Sequence, residues 1–141
     1  MKEQVNNILE ELGFHTEPIG DYLGFEYEGM NYLYLYNSDD EDFLNISIPC
    51  VMIPDEEDEA MLYRKTDKIN STLKYVKAYV WEERLWLFYE RELFGGEDLE
   101  KVIPAMILRL EVAAGFVRHL INDTDKSEIS IESNIDDMNE K

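Results

Sequence analysis

Apolar residues recur along this 141-residue chain with two different periods. Val5, Ile8, Leu9 and Leu12 lie three and four apart and Gly13 stops the pattern, which predicts a first helix over about 2–12. Residues 21–27 and 30–36 are rich in Tyr, Phe and Leu and are separated by Glu28-Gly29, the pattern of a β-hairpin. After the acidic turn Ser38–Asp42 a third strand is expected at about 43–49, with Pro49 and Pro54 punctuating an extended stretch, Cys50 to Ile53. Asp55 and the acids that follow it suit the positive end of a helix dipole, so a second helix should begin there and run to about residue 71. A second hairpin is expected at about 74–81 and 84–92, turning at Glu82-Glu83. Gly95-Gly96 then breaks the chain. A last helix follows to about Asn122, with a wide apolar face that includes Leu99, Ile103, Met106, Leu110, Ala114 and Val117. Pro104 inside it removes one backbone bond and predicts a kink or a late start.

The order α-βββ-α-ββ-α with hairpin pairing gives an α+β class: an antiparallel sheet of about five strands with helices packed on one face. Residues 1–122 form the single domain in this reading. Residues 123–141 carry seven acids against two lysines and no aromatics, and are expected to be an acidic flexible tail, Ile129, Ile131 and Ile135 being the only hint of an added edge strand.

Alternation along the strands sorts side chains onto two faces. Leu33 and Leu35, Leu44, Ile46 and Ile48, Val76, Ala78 and Val80, and Leu85 and Leu87 are expected on the helix-covered face. The opposite face should then carry Tyr32, Tyr34, Tyr36, Tyr79, Trp81, Trp86 and Phe88, interspersed with Asn45, Lys77 and Arg84. Rings mixed with a few polar groups have the composition of a contact patch, and these seven are the candidate partner-binding residues. Aromatics are also good strand residues whose cross-strand pairs stabilise a half-exposed sheet, so a purely structural use stands beside the functional one.

Charge narrows the partners. Asp and Glu number 32 against 13 Lys and Arg, a formal net charge of −19. Phosphate binding needs clustered cations, so nucleic acid and anionic membrane are disfavoured and a protein partner, or a second copy in a homodimer, is expected. An apolar content of 45% permits a core without disulfides or metal. One cysteine, Cys50, forms no internal disulfide, and its apolar surroundings argue for an inert thiol. The start, Met1 to Leu12, has no apolar signal region and no apolar run approaches a membrane span, so a cytoplasmic protein is expected.

The sequence carries no recognisable chemical motif. The run Asn37–Glu41 has oxygens at alternate positions as a calcium loop does, but Asp42 stands where glycine is needed and Ile48 where glutamate is needed. Gly95-Gly96 before a helix suggests a phosphate cradle, yet Glu97, Asp98 and Glu100 would repel phosphate. His15 and His119 have no metal-ligand spacing. No catalytic residue, cofactor or metal is assigned, and a non-enzyme is expected.

Several stretches of the second half, namely Ile69-Asn70-Ser71, Tyr75–Val80, Leu85–Glu90 and the closing helix Leu99–Ile121, resemble the bacterial YbjN-type regulator family and, more broadly, the type III secretion chaperone-like fold. An Asn that ends the middle helix just before a hairpin is similar to that family's pattern. The resemblance implies a non-enzymatic, protein-binding module, often dimeric. The leading expectation is therefore a binding or regulatory module, chaperone-like in manner, that uses the aromatic face or an edge of its sheet. The alternatives are an acidic inhibitor or immunity-type protein blocking a basic site on its partner, and, more remotely, an enzyme with a site assembled from scattered residues.

Overall fold

The computed structural model describes the backbone of residues 1–52 and 59–139 and the side chains of residues 1–49 and 59–120. The elements follow in the order α1 (Lys2–Glu11), β1 (Glu17–Ile19), β2 (Tyr22–Tyr27), β3 (Met30–Tyr34), β4 (Phe43–Met52), α2 (Glu59–Thr72), β5 (Lys77–Trp81), β6 (Arg84–Glu92) and α3 (Leu99–Asn139). All strand pairs are antiparallel, and the sheet runs β1-β2-β3-β4-β6-β5. The α+β class is as expected, with six strands instead of about five. The addition is β1, three exposed residues that include Pro18 and show no apolar alternation. A proline suits such an edge, where one face of the backbone needs no ladder bond.

The hairpin turns fix the register. Tyr27 pairs with Met30 around Glu28 and Gly29, both at positive φ (51° and 75°), the geometry that matches the twist of two strands. Trp81 pairs with Arg84 around Glu82 and Glu83 at φ 53° and 63°, a left-handed pair made without glycine or asparagine. β4 carries an irregularity between Ile48 and Met52, beside Pro49.

All three helices pack on one side of the sheet. Val5 and Leu9 of α1, Leu62 and Ile69 of α2, and Ile103, Leu110 and Ala114 of α3 join Leu44, Ile46, Ile48, Leu85 and Leu87 in one core. Each large side chain so buried contributes roughly 1.5–3 kcal/mol. Asp98 stands just before α3, its carboxylate accepting the Glu100 N–H (3.1 Å), and the helix continues through Pro104. It also continues past Asn122 to Asn139, a correction to the expected end: no Gly or Pro interrupts residues 123–139, so nothing in the backbone chemistry stops it. The side chains of that acidic stretch lie outside the described residues. So do the side chain of Cys50 and the helix start expected at Asp55.

Two of the seven expected face residues belong to this core and a third packs against it, and their placement is corrected. Tyr32 and Tyr34 are each 1% exposed, and the half-buried Tyr36 packs against the same cluster. The reason is register. Tyr34 pairs with Leu23 and Ile46, and Tyr32 with Phe25, so their rings share the aliphatic side, while Leu33 pairs with Gly24 and Ser47 on the other. Phe25 stacks on Tyr32 at 5.2 Å and meets Phe14 at a tilt of 39° with ring centres 5.1 Å apart, filling the core beside the end of α1. Burial raises the Tyr32 and Tyr34 phenols, Tyr34 to about 12, with the neighbouring Tyr36 and Glu41 adding to it.

Candidate functional site: the outer face of the sheet

The remaining four expected residues come together on the opposite side. Register places Tyr79 beside Trp86, Trp81 beside Arg84, and Phe88 between Lys77 and Ser47. No core residue of the helices lies over them among the described residues. Tyr79 stacks on Phe88 with ring centres 4.1 Å apart and planes parallel within 1°. Trp86 lies 5.7 Å from Phe88 on the other side, and Trp81 leans on Trp86 at 4.8 Å. The four rings form one strip across β5 and β6.

Burial within the strip is graded. Phe88 is 1% exposed, sealed by its ring neighbours, while Tyr79 and Trp81 stand 36% and 44% exposed. The pairing chain Glu17, Gly24, Leu33, Ser47, Phe88 extends the same face across the sheet. Ile19, Tyr22 and Phe43, all exposed, lie on it and were not singled out in the sequence. A β-carbon on Gly24 would come within 2.8 Å of Ile19 Cδ1, so glycine there is what lets Ile19 fold across the face.

The polar groups of the face are few. Lys77 Nζ lies 3.8 Å from Glu90 and 5.7 Å from the Tyr79 ring centre. This exposed ion pair contributes little to stability. Burial and the nearby Glu90 raise the Tyr79 phenol. Ser47 Oγ, Asn45 Oδ1 and Trp86 Nε1 are buried without a hydrogen-bond partner among the described residues. Such groups are uncommon in folded proteins, and three of them share this one face.

The other motifs resolve into structure. Asn37 Oδ1 accepts the Asp39 N–H at 3.0 Å, an ordinary Asx turn. Among the described residues no group of three or more His, Cys, Asp or Glu is placed to hold a metal, and no helix is long and apolar enough to cross a membrane. The Gly95-Gly96 loop does present converging N–H groups, but the chain fills it itself. The Glu97 carboxylate accepts from Phe94 (2.9 and 3.0 Å), Gly95 (3.0 Å) and Gly96 (3.2 Å). Desolvation pushes the Glu97 carboxyl up, but these bonds together with Arg91 outweigh it and hold it below its ordinary value. A depressed folded pKa stabilises above the ordinary carboxylate range and ceases to do so as pH falls through the folded value. Glu97→Gln should therefore lower the melting temperature at neutral pH, and the gap to the wild type should close as melting scans move into the acid range. A gap that stays constant with pH would contradict this role.

No family model and no curated protein matches the sequence. Solved structures do. YbjN from E. coli, described as a candidate transcription regulator, superposes with a TM-score of 0.66 at 12% identity, over 83% of this chain and 87% of that one. The chain has the YbjN-type fold. An uncharacterized protein from Methanothermobacter thermautotrophicus shares it, with a TM-score of 0.62 at 17% identity over 86% of this chain and 96% of that one. Within this YbjN-type fold the ring strip sits on the side of the sheet opposite the helical core, at the end formed by β6 and edge strand β5.

Proposed function

We propose that this chain is a non-enzymatic protein-binding or regulatory module that engages its partner through the outer face of the sheet, with Tyr79, Trp81, Trp86 and Phe88 as anchors. The observation that carries this reading is the stacked ring strip on a face over which no core side chain of the helices lies among the described residues. Aromatic anchors around a sealed centre are the arrangement in which a few residues supply most of the affinity of a protein interface. The description of E. coli YbjN as a candidate regulator supports a regulatory role. A net charge of −19 argues that such a role is exercised on a protein and not on DNA. The edge of β5 is a poorer docking point, since the Asn70 side chain already bonds Ala78 there.

The test uses immobilised wild type, Trp81→Ser and Phe94→Ser. Phe94 is 82% exposed and lies off the strip, so it controls for lost surface apolarity. Partners should be retained by wild type and Phe94→Ser and lost by Trp81→Ser, with unchanged circular dichroism. The reading fails if Trp81→Ser retains the same proteins. Partners shed by salt but indifferent to Trp81 would favour an acidic inhibitor instead.

A further inference from the structure

A second surface, on the helical side, has chemistry of its own. Leu73 and Val76, between α2 and β5, and Leu108, Val112 and Ala113 of α3 line an open apolar groove. At about 270 Å³ it holds a few side chains, not a whole cofactor. Leu108 and Val112 are 53% and 68% exposed, one helical turn apart, while Ile103, Met106, Ile107, Leu110 and Val117 of the same helix are buried. Lys74 and Arg109 also line the groove. In a chain with 32 acids and 13 bases, neither is paired with a carboxylate among the described residues.

Arg109 is held in place. Its guanidinium lies 4.0 Å from the Tyr75 ring centre and 5.9 Å from that of Tyr89, and its Nη1 donates to the Tyr89 hydroxyl at 2.7 Å. Tyr75 is 62% exposed and adopts a left-handed backbone (φ 69°), a conformation a bulky side chain rarely takes. Strained residues of this kind persist where the surroundings over-determine them, often at ligand clamps. Here the strain sets a ring against a cation whose remaining donors are free to read an acid. A guanidinium so positioned loses little freedom on binding a carboxylate.

We infer that this groove docks an acidic amphipathic helix of a partner protein, its aliphatic row against Leu108 and Val112 and its carboxylates on Arg109 and Lys74. The net charge of −19 disfavours acidic segments over the surface as a whole, so two cations beside an apolar groove give this place a local preference for them. This surface is separate from the outer face and its occupancy does not depend on the ring strip.

Fluorescence anisotropy with labelled peptides tests it. The probes are a panel of Leu/Glu amphipathic helices with apolar residues at i, i+4 and i+7, the same panel with Lys for Glu, and a scrambled Leu/Glu sequence. The full chain should bind Leu/Glu helices saturably and the scrambled sequence weakly. Val112→Glu and Lys74→Glu, both at exposed positions, should each weaken binding about tenfold or more, while Trp81→Ser leaves it unchanged. Preference for the Lys panel, equal binding by Val112→Glu, or no binding by any Leu/Glu helix overturns the inference. So does self-association in sedimentation that Val112→Glu abolishes, which would give the groove to a second copy.

Discussion

Tyr34→Ala should lower the free energy of unfolding by about 3–5 kcal/mol, the cost of deleting a fully buried ring. Trp81→Ala, from a residue with 44% of its surface exposed, should cost about 1 kcal/mol or less. The two belong to the same group of candidate face residues in the sequence, so the contrast tests the register directly. Tyr34 lies between Leu23 and Ile46 on neighbouring strands, beneath the helices, and its removal opens a cavity in the middle of the sheet. Trp81 leans on Trp86 at the rim and leaves only solvent-facing space behind. Urea denaturation followed by far-ultraviolet circular dichroism gives both numbers. If Tyr34→Ala unfolds at the wild-type midpoint, the ring is not in the core. The phenol supplies an independent check. Its folded pKa is raised from 10.0 to about 12, so the neutral form is the one the fold favours. That contribution is complete below pH 10.0 and is lost as pH rises toward about 12. Wild-type stability should accordingly decline across that alkaline window, and less steeply in Tyr34→Phe.

The placement of Tyr32 and Tyr34 was legible in the sequence, through the turn and not through the strand itself. A two-residue loop at Glu28-Gly29 pairs Tyr27 with Met30, Phe25 with Tyr32 and Leu23 with Tyr34. The other side of β2 offers Gly24 and Glu26, which build no core. The core side of β2 must therefore be Leu23 and Phe25, and the hairpin carries Tyr32 and Tyr34 with them. Sorting strands by aliphatic content alone put Leu33 inside and the tyrosines outside, because a tyrosine counts as polar or apolar according to where its hydroxyl ends up. In β5 and β6 the same sorting works, since the buried Ala78, Leu85 and Leu87 leave only rings and charges for the other face. The helices were legible from their period, and α3 carries the core as its apolar stripe implies. Two features were not readable. β1 has no alternation to betray it. The groove at Arg109 depends on Tyr75 and Tyr89 meeting it from different elements, which no local pattern encodes.

Asn70→Ala should cost about 2 kcal/mol, two hydrogen bonds at about 1 kcal/mol each, although Asn70 sits on the surface at the end of α2. Its side chain acts as one residue of an extra strand. Oδ1 accepts the Ala78 N–H at 2.7 Å and Nδ2 donates to the Ala78 carbonyl at 2.8 Å. Ala78 lies in the edge strand β5 and pairs with Leu87 on β6, so the groups that Asn70 takes are the ones pointing away from the sheet. An open edge offers a row of unpaired donors and acceptors to any other chain, and folded proteins close such edges. The primary-structure cue was an Asn that ends a helix just before a hairpin, and the geometry gives it a physical reason. Only a side-chain amide presents donor and acceptor together at this reach: Asp has no donor to give the carbonyl, and Gln is one methylene too long. Asn70→Asp should therefore destabilise at least as much as Asn70→Ala, despite its near-identical shape. Freed from its cap, β5 should also template pairing, so Asn70→Ala should shift toward larger species in concentration-dependent sedimentation while wild type does not. Chemical denaturation and sedimentation on the same samples separate the two effects. An unchanged urea midpoint in Asn70→Ala would mean that water replaces the amide at no cost and that the edge of β5 is guarded by something else.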